Sequence, residues 1–289
     1  MRQHKQLVCL TSLILLSAFP IEVCSQHFWD EVWSQHHWDS RGSSWGEIRY
    51  PASPEESEKD DIILEGAITQ KFASYELSPR TSINYFARLG FTFDTEKLDY
   101  NNRITLGPGF AIRRAFSLSG SISAGARYDI EQRTTGPTDE RNHTGLILFT
   151  AWSNAWAIPV PCSFCPGREN SVSSGFTWGD LQYPSALTPE EENNLLLEGA
   201  IEQGMDLRQT DLGALNTFVA FDYKVDSEKL DWNNTLKGSL GIRLRMRASE
   251  HMSINIGVKL TREHRFVADN TWSDVVYFVN WGADWGSSF

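Results

Sequence analysis

The chain has 289 residues, 22% of them charged, with a formal net charge of −11. That length holds two soluble domains or one large β-barrel. An acidic balance argues against nucleic acid as a partner, and no segment past the first residues holds 18 consecutive apolar residues, so no transmembrane helix is predicted. A membrane is not thereby excluded, because alternating barrel strands leave no trace in a hydropathy average.

Arg2, His4 and Lys5 open the chain, Leu7 to Phe19 is apolar but too short to span, and Val23 and Ser25 are small residues before a cut. This is the pattern of a secretory signal peptide, residues 1–25, cleaved near Ser25/Gln26. Glu22 and Val23 fit a lipoprotein signal badly, which leaves lipidation of Cys24 a minor alternative. Residues 26–43 form an aromatic-rich extension holding Trp29, Trp33 and Trp38 among His27, His36 and His37. Adjacent histidines point apart and no ligand cluster at zinc spacing surrounds them, so no metal is expected there.

From Ser44 the chain repeats itself. Trp45-Gly46-Glu47-Ile48-Arg49-Tyr50-Pro51 returns as Trp178-Gly179-Asp180-Leu181-Gln182-Tyr183-Pro184, and Leu64-Glu65-Gly66-Ala67-Ile68 returns as Leu197-Glu198-Gly199-Ala200-Ile201. Glu96-Lys97-Leu98-Asp99 returns as Glu228-Lys229-Leu230-Asp231, and Trp152 and Trp156 return as Trp281 and Trp285. The offset drifts only from 133 to 129 residues, the mark of a tandem duplication. The predicted organisation is a first β repeat over 44–156, a Pro/Cys linker over 157–174 and a second β repeat over 175–289.

Within each repeat side chains alternate with a period of two, the strand signature. Strands are expected at 62–76, 81–95, 103–113, 118–133 and 144–156, then at 195–209, 215–226, 235–247, 252–266 and 273–286. In the stretch from Leu215 to Arg265 one face is apolar. The other carries Asp222, Lys224 and Asp226, then Lys237, Arg243, Arg245 and Arg247, then Lys259, Glu263 and Arg265. Phe218, and Phe86 in the first repeat, are the large apolar exceptions on the polar face. Runs of ten or more residues match the roughly 9–11 that a tilted strand needs to cross a bilayer, and the two faces read as lipid outside and an ionic interior.

Counting the short Trp-Gly segment as a sixth strand gives twelve strands. Every tight turn (Arg114–Ser117, Ala248–His251) then lies on one side and every long acidic loop on the other; without it ten strands also close. Cys162 and Cys165 lie in the linker, where a local disulfide suits an oxidising compartment better than a two-ligand zinc site or a redox motif without its βαβ context.

The chain ends in a strand with Tyr277, Trp281 and Trp285 and closes on Phe289. This resembles the terminal signal of bacterial outer-membrane β-barrels, and with the signal peptide and the alternation the resemblance covers essentially the whole chain. It is a resemblance of class. It implies an all-β antiparallel transmembrane β-barrel of about twelve, alternatively ten, strands built from two tandem repeats. It implies a place in the cell outer membrane of a Gram-negative bacterium, with outer-membrane lipid around it.

The search for chemistry finds little. Gly42-Ser43-Ser44-Trp45-Gly46 fits a nucleophile elbow only in letters, since it lacks the strand before and the helix after. Outer-membrane phospholipase is similar in size, but its Asn-His-x-Ser-Asn-Gly type of motif is missing. His143, His251 and His264 do not recur between repeats, and His264, between Glu263 and Arg265, reads as part of an ionic lumen network. No enzyme activity and no cofactor are expected. Asp94, Glu96 and Asp99, with Asp226, Glu228 and Asp231, gather carboxylates that could hold Ca²⁺ weakly, but they lack the glycine turn of a calcium loop and read as solvated acidic loops.

The lumen candidates are Lys224, Asp222, Lys237, Arg243, Arg245, Arg247, Lys259, Glu263, Arg265, Arg88, Glu65 and Glu198. One-signed charge in a low-dielectric channel attracts the opposite sign. The predicted function is therefore a channel, porin or export pore for anionic or sugar-rich solutes. Against it stands a closed barrel in which Glu198, Glu202, Asp222, Asp226 and Glu263 neutralise those cations, acting as a surface protein that binds a glycan, lipopolysaccharide or a phage. A third reading is a soluble periplasmic two-domain β protein with the apolar faces turned inward.

Overall fold

The computed structural model describes residues 41–286, apart from 56–57, 99–100, 137–140, 162–169 and 190. The signal peptide, the histidines of the extension, Asp99, the Cys162/Cys165 pair and Phe289 lie outside the described residues.

Twelve strands follow in order: β1 Gly42–Tyr50, β2 Ile63–Ser78, β3 Thr81–Asp94, β4 Arg103–Ala115, β5 Ser121–Arg133, β6 Asn142–Pro161, β7 Asn170–Tyr183, β8 Leu196–Thr210, β9 Gly213–Asp226, β10 Thr235–Ser249, β11 Met252–Arg265 and β12 Asn270–Trp285. Each pairs antiparallel with its neighbours in sequence, and β1 pairs with β12 from Gly42↔Trp285 to Tyr50↔Tyr277, closing the sheet into a barrel. Closure leaves no strand with a wholly free edge, which a lipid surround demands.

The Trp-Gly segment is thus a strand in both repeats, β1 and β7, and the count is twelve. Both Glu-Lys-Leu-Asp loops fall on one rim, with the connections 51–62, 95–102, 134–141, 184–195, 227–234 and 266–269. The opposite rim holds the tight turns, and the turn after β4 is Phe116–Gly120, later than the expected Arg114–Ser117. By the rule that long loops face outward, the first rim is the outer one.

The expected linker is a correction. Ala157–Pro161 extend β6 and Asn170–Ser174 belong to β7, paired down to Pro161↔Asn170, so only 162–169 connects the repeats. The prolines concealed this. Beyond Ser153, however, β6 has no strand partner on its β5 side among the described residues, and a proline whose missing N–H faces that open side costs no ladder bond.

The distribution of side chains is the reverse of a soluble domain. Leu146, Phe221, Leu240 and Leu260 stand more than half exposed on the outside, whereas Arg127, Glu131, Arg243 and Glu263 are buried inside. This turns the apolar faces outward and rules out the soluble two-domain alternative. The two aromatic exceptions face inward. Phe218 packs edge-on against Phe278 at 5.9 Å, and Phe86 against Phe149 at 6.0 Å. Gly241 lies beside Phe218, and a Cβ there would meet the ring at 2.6 Å.

On the outside, the repeated Trp-Gly pair has a packing reason. Trp281 of β12 lies across Gly46, and Trp152 of β6 lies across Gly179, each where a Cβ would collide with the indole. Gly179→Val is expected to destabilise the folded barrel by about 1–3 kcal/mol through overpacking. Urea unfolding in detergent micelles checks this, and an unchanged midpoint would mean that the indole swings away freely.

Candidate functional site: the barrel lumen

Because side chains alternate, each strand delivers every second residue to the lumen. From β10 come Lys237, Arg243, Arg245 and Arg247; from β11, Lys259, Glu263 and Arg265; from β9, Asp222 and Lys224; from β3, Arg88; from β2 and β8, Glu65 and Glu198. All twelve sequence candidates share the interior face. His264 does not. It sits on the outward face of β11 and shares a 3.0 Å hydrogen bond with Thr271, because an even position cannot share the face of Glu263 and Arg265.

Most of the cations meet acids. Near the inner rim, Arg243 pairs with Glu202, donates from Nε to Asn216 at 3.1 Å and lies 4.5 Å over the Phe218 ring. Arg245 pairs with Asp206 at 3.0 Å and donates to Ser174. Arg247, at the rim itself, donates to the carbonyls of Ser249 and Glu250. Midway, Arg49 binds both Glu65 and Glu47, and Lys259 stands 3.8 Å from Glu47. Towards the outer rim, Lys237 meets Glu263 at 2.9 Å, and Arg265 meets Glu263, Asp231 and Glu55. In the first repeat, Arg127 pairs with Asp129 at 2.8 Å, while Arg103 and Arg133 flank Glu131.

The side chains of four candidates, Arg88, Lys224, Asp222 and Glu198, make no ion pair or hydrogen bond among the described residues. Sequence reasoning missed Glu47, Arg49, Arg127, Asp129, Asp180, Gln182 and Trp45. The signal for Glu47, Arg49, Asp180 and Gln182 was the alternation inside the repeated Trp-Gly segment, once that segment is accepted as a strand.

The outer mouth is narrowed by two equivalent loops. In the loop after β1, Ala52 and Ser53 are buried, and Ser53 donates to Glu263 at 3.3 Å. In the loop after β7, Leu187 reaches over Gly145 of β6, and Glu191 accepts from Trp232 and Asn233. Beneath that second loop lies a cavity of about 190 Å³. Trp45, Arg88, Arg127, Asp180 and Glu198 line it, with Leu187 above.

The acidic loops are organised rather than merely solvated. Asp94 Oδ1 accepts from Leu98 N and Asn102 Nδ2, and Asp226 Oδ1 accepts from Leu230 N and Asn234 Nδ2 in the same geometry. Asp231 is committed to Arg265 and to the backbone of Ala268. Glu96 and Glu228 contribute backbone N–H groups to the neighbouring loop, and their side chains are exposed. Among the described residues Asp94 and Asp226 serve turns and Asp231 an ion pair, and the carboxylates do not converge on a common point.

An even number of antiparallel strands closed edge to edge, apolar outside and ionic within, defines a transmembrane β-barrel of the bacterial outer-membrane type. The protein is a twelve-stranded β-barrel of that transmembrane type. No family model matches the chain, and no curated protein sequence matches it. Among solved structures it is similar to the β domain of the Bordetella autotransporter BrkA, with 10% identity, 85% of this chain and 98% of that one covered, and a TM-score of 0.40. It is also similar to an outer membrane channel from Pseudomonas putida F1, with 8% identity, 86% and 98% coverage and a TM-score of 0.41. The translocator domain of the autotransporter NalP from Neisseria meningitidis gives 12% identity, 85% and 88% coverage and a TM-score of 0.34. At such scores these likenesses say nothing of a solute or partner; the class rests on the barrel itself.

Proposed function

We propose that the barrel is a narrow passage for small polar solutes rather than a wide porin. The observation that carries this reading is the lumen's division: an ion-paired framework runs from rim to rim, and it leaves a 190 Å³ cavity whose lining includes Arg88, Asp180 and Glu198, three charged groups with no ion pair among the described residues. The cations of the β10–β11 stripe are largely neutralised by Glu202, Asp206, Glu263 and Glu47, so a general preference for anions has little electrostatic support. The reading is non-catalytic. His143, His251 and His264 are dispersed over a lumen strand, an inner turn and the outer surface.

Folded protein in planar bilayers is expected to pass a small current. Leu187→Gly is expected to raise it by withdrawing the side chain that overhangs the cavity. Absence of any current, from protein shown to be folded by its heat-dependent migration in electrophoresis, would overturn the passage. It would favour the closed surface-binding barrel, which the interlocked mouth loops also suit.

A further inference from the structure

The duplication allows one half of the lumen to be read against the other. In the first repeat Glu47 and Glu65 are register partners on β1 and β2, two acids side by side on the inner face. Like charges directly opposite one another destabilise a sheet. Here Arg49 resolves the conflict by donating to both carboxylates. In the second repeat the equivalent acids, Asp180 and Glu198, are register partners on β7 and β8. The residue equivalent to Arg49 is Gln182, which cannot supply the charge and instead accepts a hydrogen bond from Arg127 at 3.1 Å.

Among the described residues no side chain donates to both acids as Arg49 does in the first repeat. Arg127 is committed to Asp129 and Gln182. Lys224 is the register partner of Glu198 on β9, and Arg88 also stands in the field of the pair, but neither forms an ion pair to either acid. Asp180 Oδ1 is buried with no hydrogen-bond partner among the described residues. Both acids line the 190 Å³ cavity, which Arg88 and Trp45 also line. A water occupies about 30 Å³ of liquid, so the cavity has room for a head group of several heavy atoms.

We infer that Asp180 and Glu198 form a binding site for the guanidinium or primary ammonium group of a small amino-acid-like solute, bound between them as Arg49 is bound between Glu47 and Glu65. The α-carboxylate of a zwitterionic solute would meet Arg88, which lines the same cavity and makes no ion pair among the described residues. That this ligand is a passing solute rests on the passage reading above; the binding itself does not.

The test separates the two. Calorimetry on the folded barrel in detergent micelles uses methylguanidinium, its neutral isostere methylurea, and L-arginine. Methylguanidinium and L-arginine are expected to bind, and methylurea is not. Asp180→Asn with Glu198→Gln is expected to weaken binding by about tenfold or more, the loss of charge-assisted hydrogen bonds. Gln182→Arg is expected to abolish binding by filling the site from within. Heat-dependent migration of each variant reports that the barrel still closes. Equal binding of methylurea, unchanged binding by the Asp180/Glu198 variant, or no binding of any probe would overturn the inference. In planar bilayers L-arginine, and not L-glutamate, is expected to interrupt the current. Binding without current would leave the site standing and remove the passage; current without binding would do the reverse.

Discussion

Arg243→Met is expected to cost the folded barrel about 3–5 kcal/mol, the usual loss on removing one partner of a buried ion pair. Arg243 is buried, and its guanidinium meets three groups at once: the Glu202 carboxylate, the Asn216 amide oxygen and the Phe218 ring. Methionine keeps some of the contact with the ring but supplies no donor, so Glu202 is left buried and uncompensated. Most of the cost is that stranded charge rather than the worth of the pair. Glu202→Met in the same chain is therefore expected to restore much of the lost stability, since an apolar pair of similar volume is often neutral. Reversible urea unfolding in detergent micelles gives both numbers. If the double variant is as unstable as the single one, the penalty comes from packing around Phe218 and Phe278 and not from the unpaired acid.

The second large effect comes from a difference between equivalent loops. Asn194 and Asp61 occupy matching places after β7 and β1, and both are fully buried. Asn194 Oδ1 accepts from Ser227 N, Ser227 Oγ and Glu228 N, and Asp61 Oδ1 accepts from Thr95 N, Thr95 Oγ1 and Glu96 N. The remaining atom differs. Asn194 Nδ2 donates to Asp226 Oδ2 at 2.9 Å. In the first repeat the corresponding atoms are Asp61 Oδ2 and Asp94 Oδ2, both buried acceptors without a hydrogen-bond partner among the described residues. An unsatisfied buried polar group costs about 1–3 kcal/mol. Asp61→Asn supplies the missing donor on a side chain of the same shape and is expected to stabilise the barrel by about that amount. Asn194→Asp is expected to destabilise it by a similar amount, since it removes the only donor to Asp226 Oδ2 given by that loop. Unfolding midpoints of the two variants should move in opposite directions. Movement in the same direction would show that the two loops are not energetically equivalent.

The alternation of residues such as Lys237, Arg243 and Lys259 against Leu240, Ile242 and Val258 was enough to place them on opposite faces, because the direction of a strand side chain depends only on its parity. Parity would also have placed His264 outside; the charged neighbours on either side of it obscured that. The duplication favoured twelve strands, which puts matching acidic loops on one rim, over the ten that also close; the structure decided for twelve. The β6–β7 junction was hidden because Pro159 and Pro161 look like linker residues until the open side of β6 is known.

Which charges meet is a different matter. Arg243 finds Glu202 across 41 residues of chain, and Arg265 finds Glu55 across 210. Such pairs depend on strand register, on barrel closure between β1 and β12, and on loops that fold back into the mouth, none of which is a local property. The sequence by itself therefore determined the strands, their two faces, the internal repeat and the ionic character of the lumen. Only the tertiary structure decided that most of the cationic stripe is neutralised. It also decided that Arg49 bridges Glu47 and Glu65 while Asp180 and Glu198 go without such a partner, because the distance between side chains on different strands is fixed by closure and register rather than by sequence spacing.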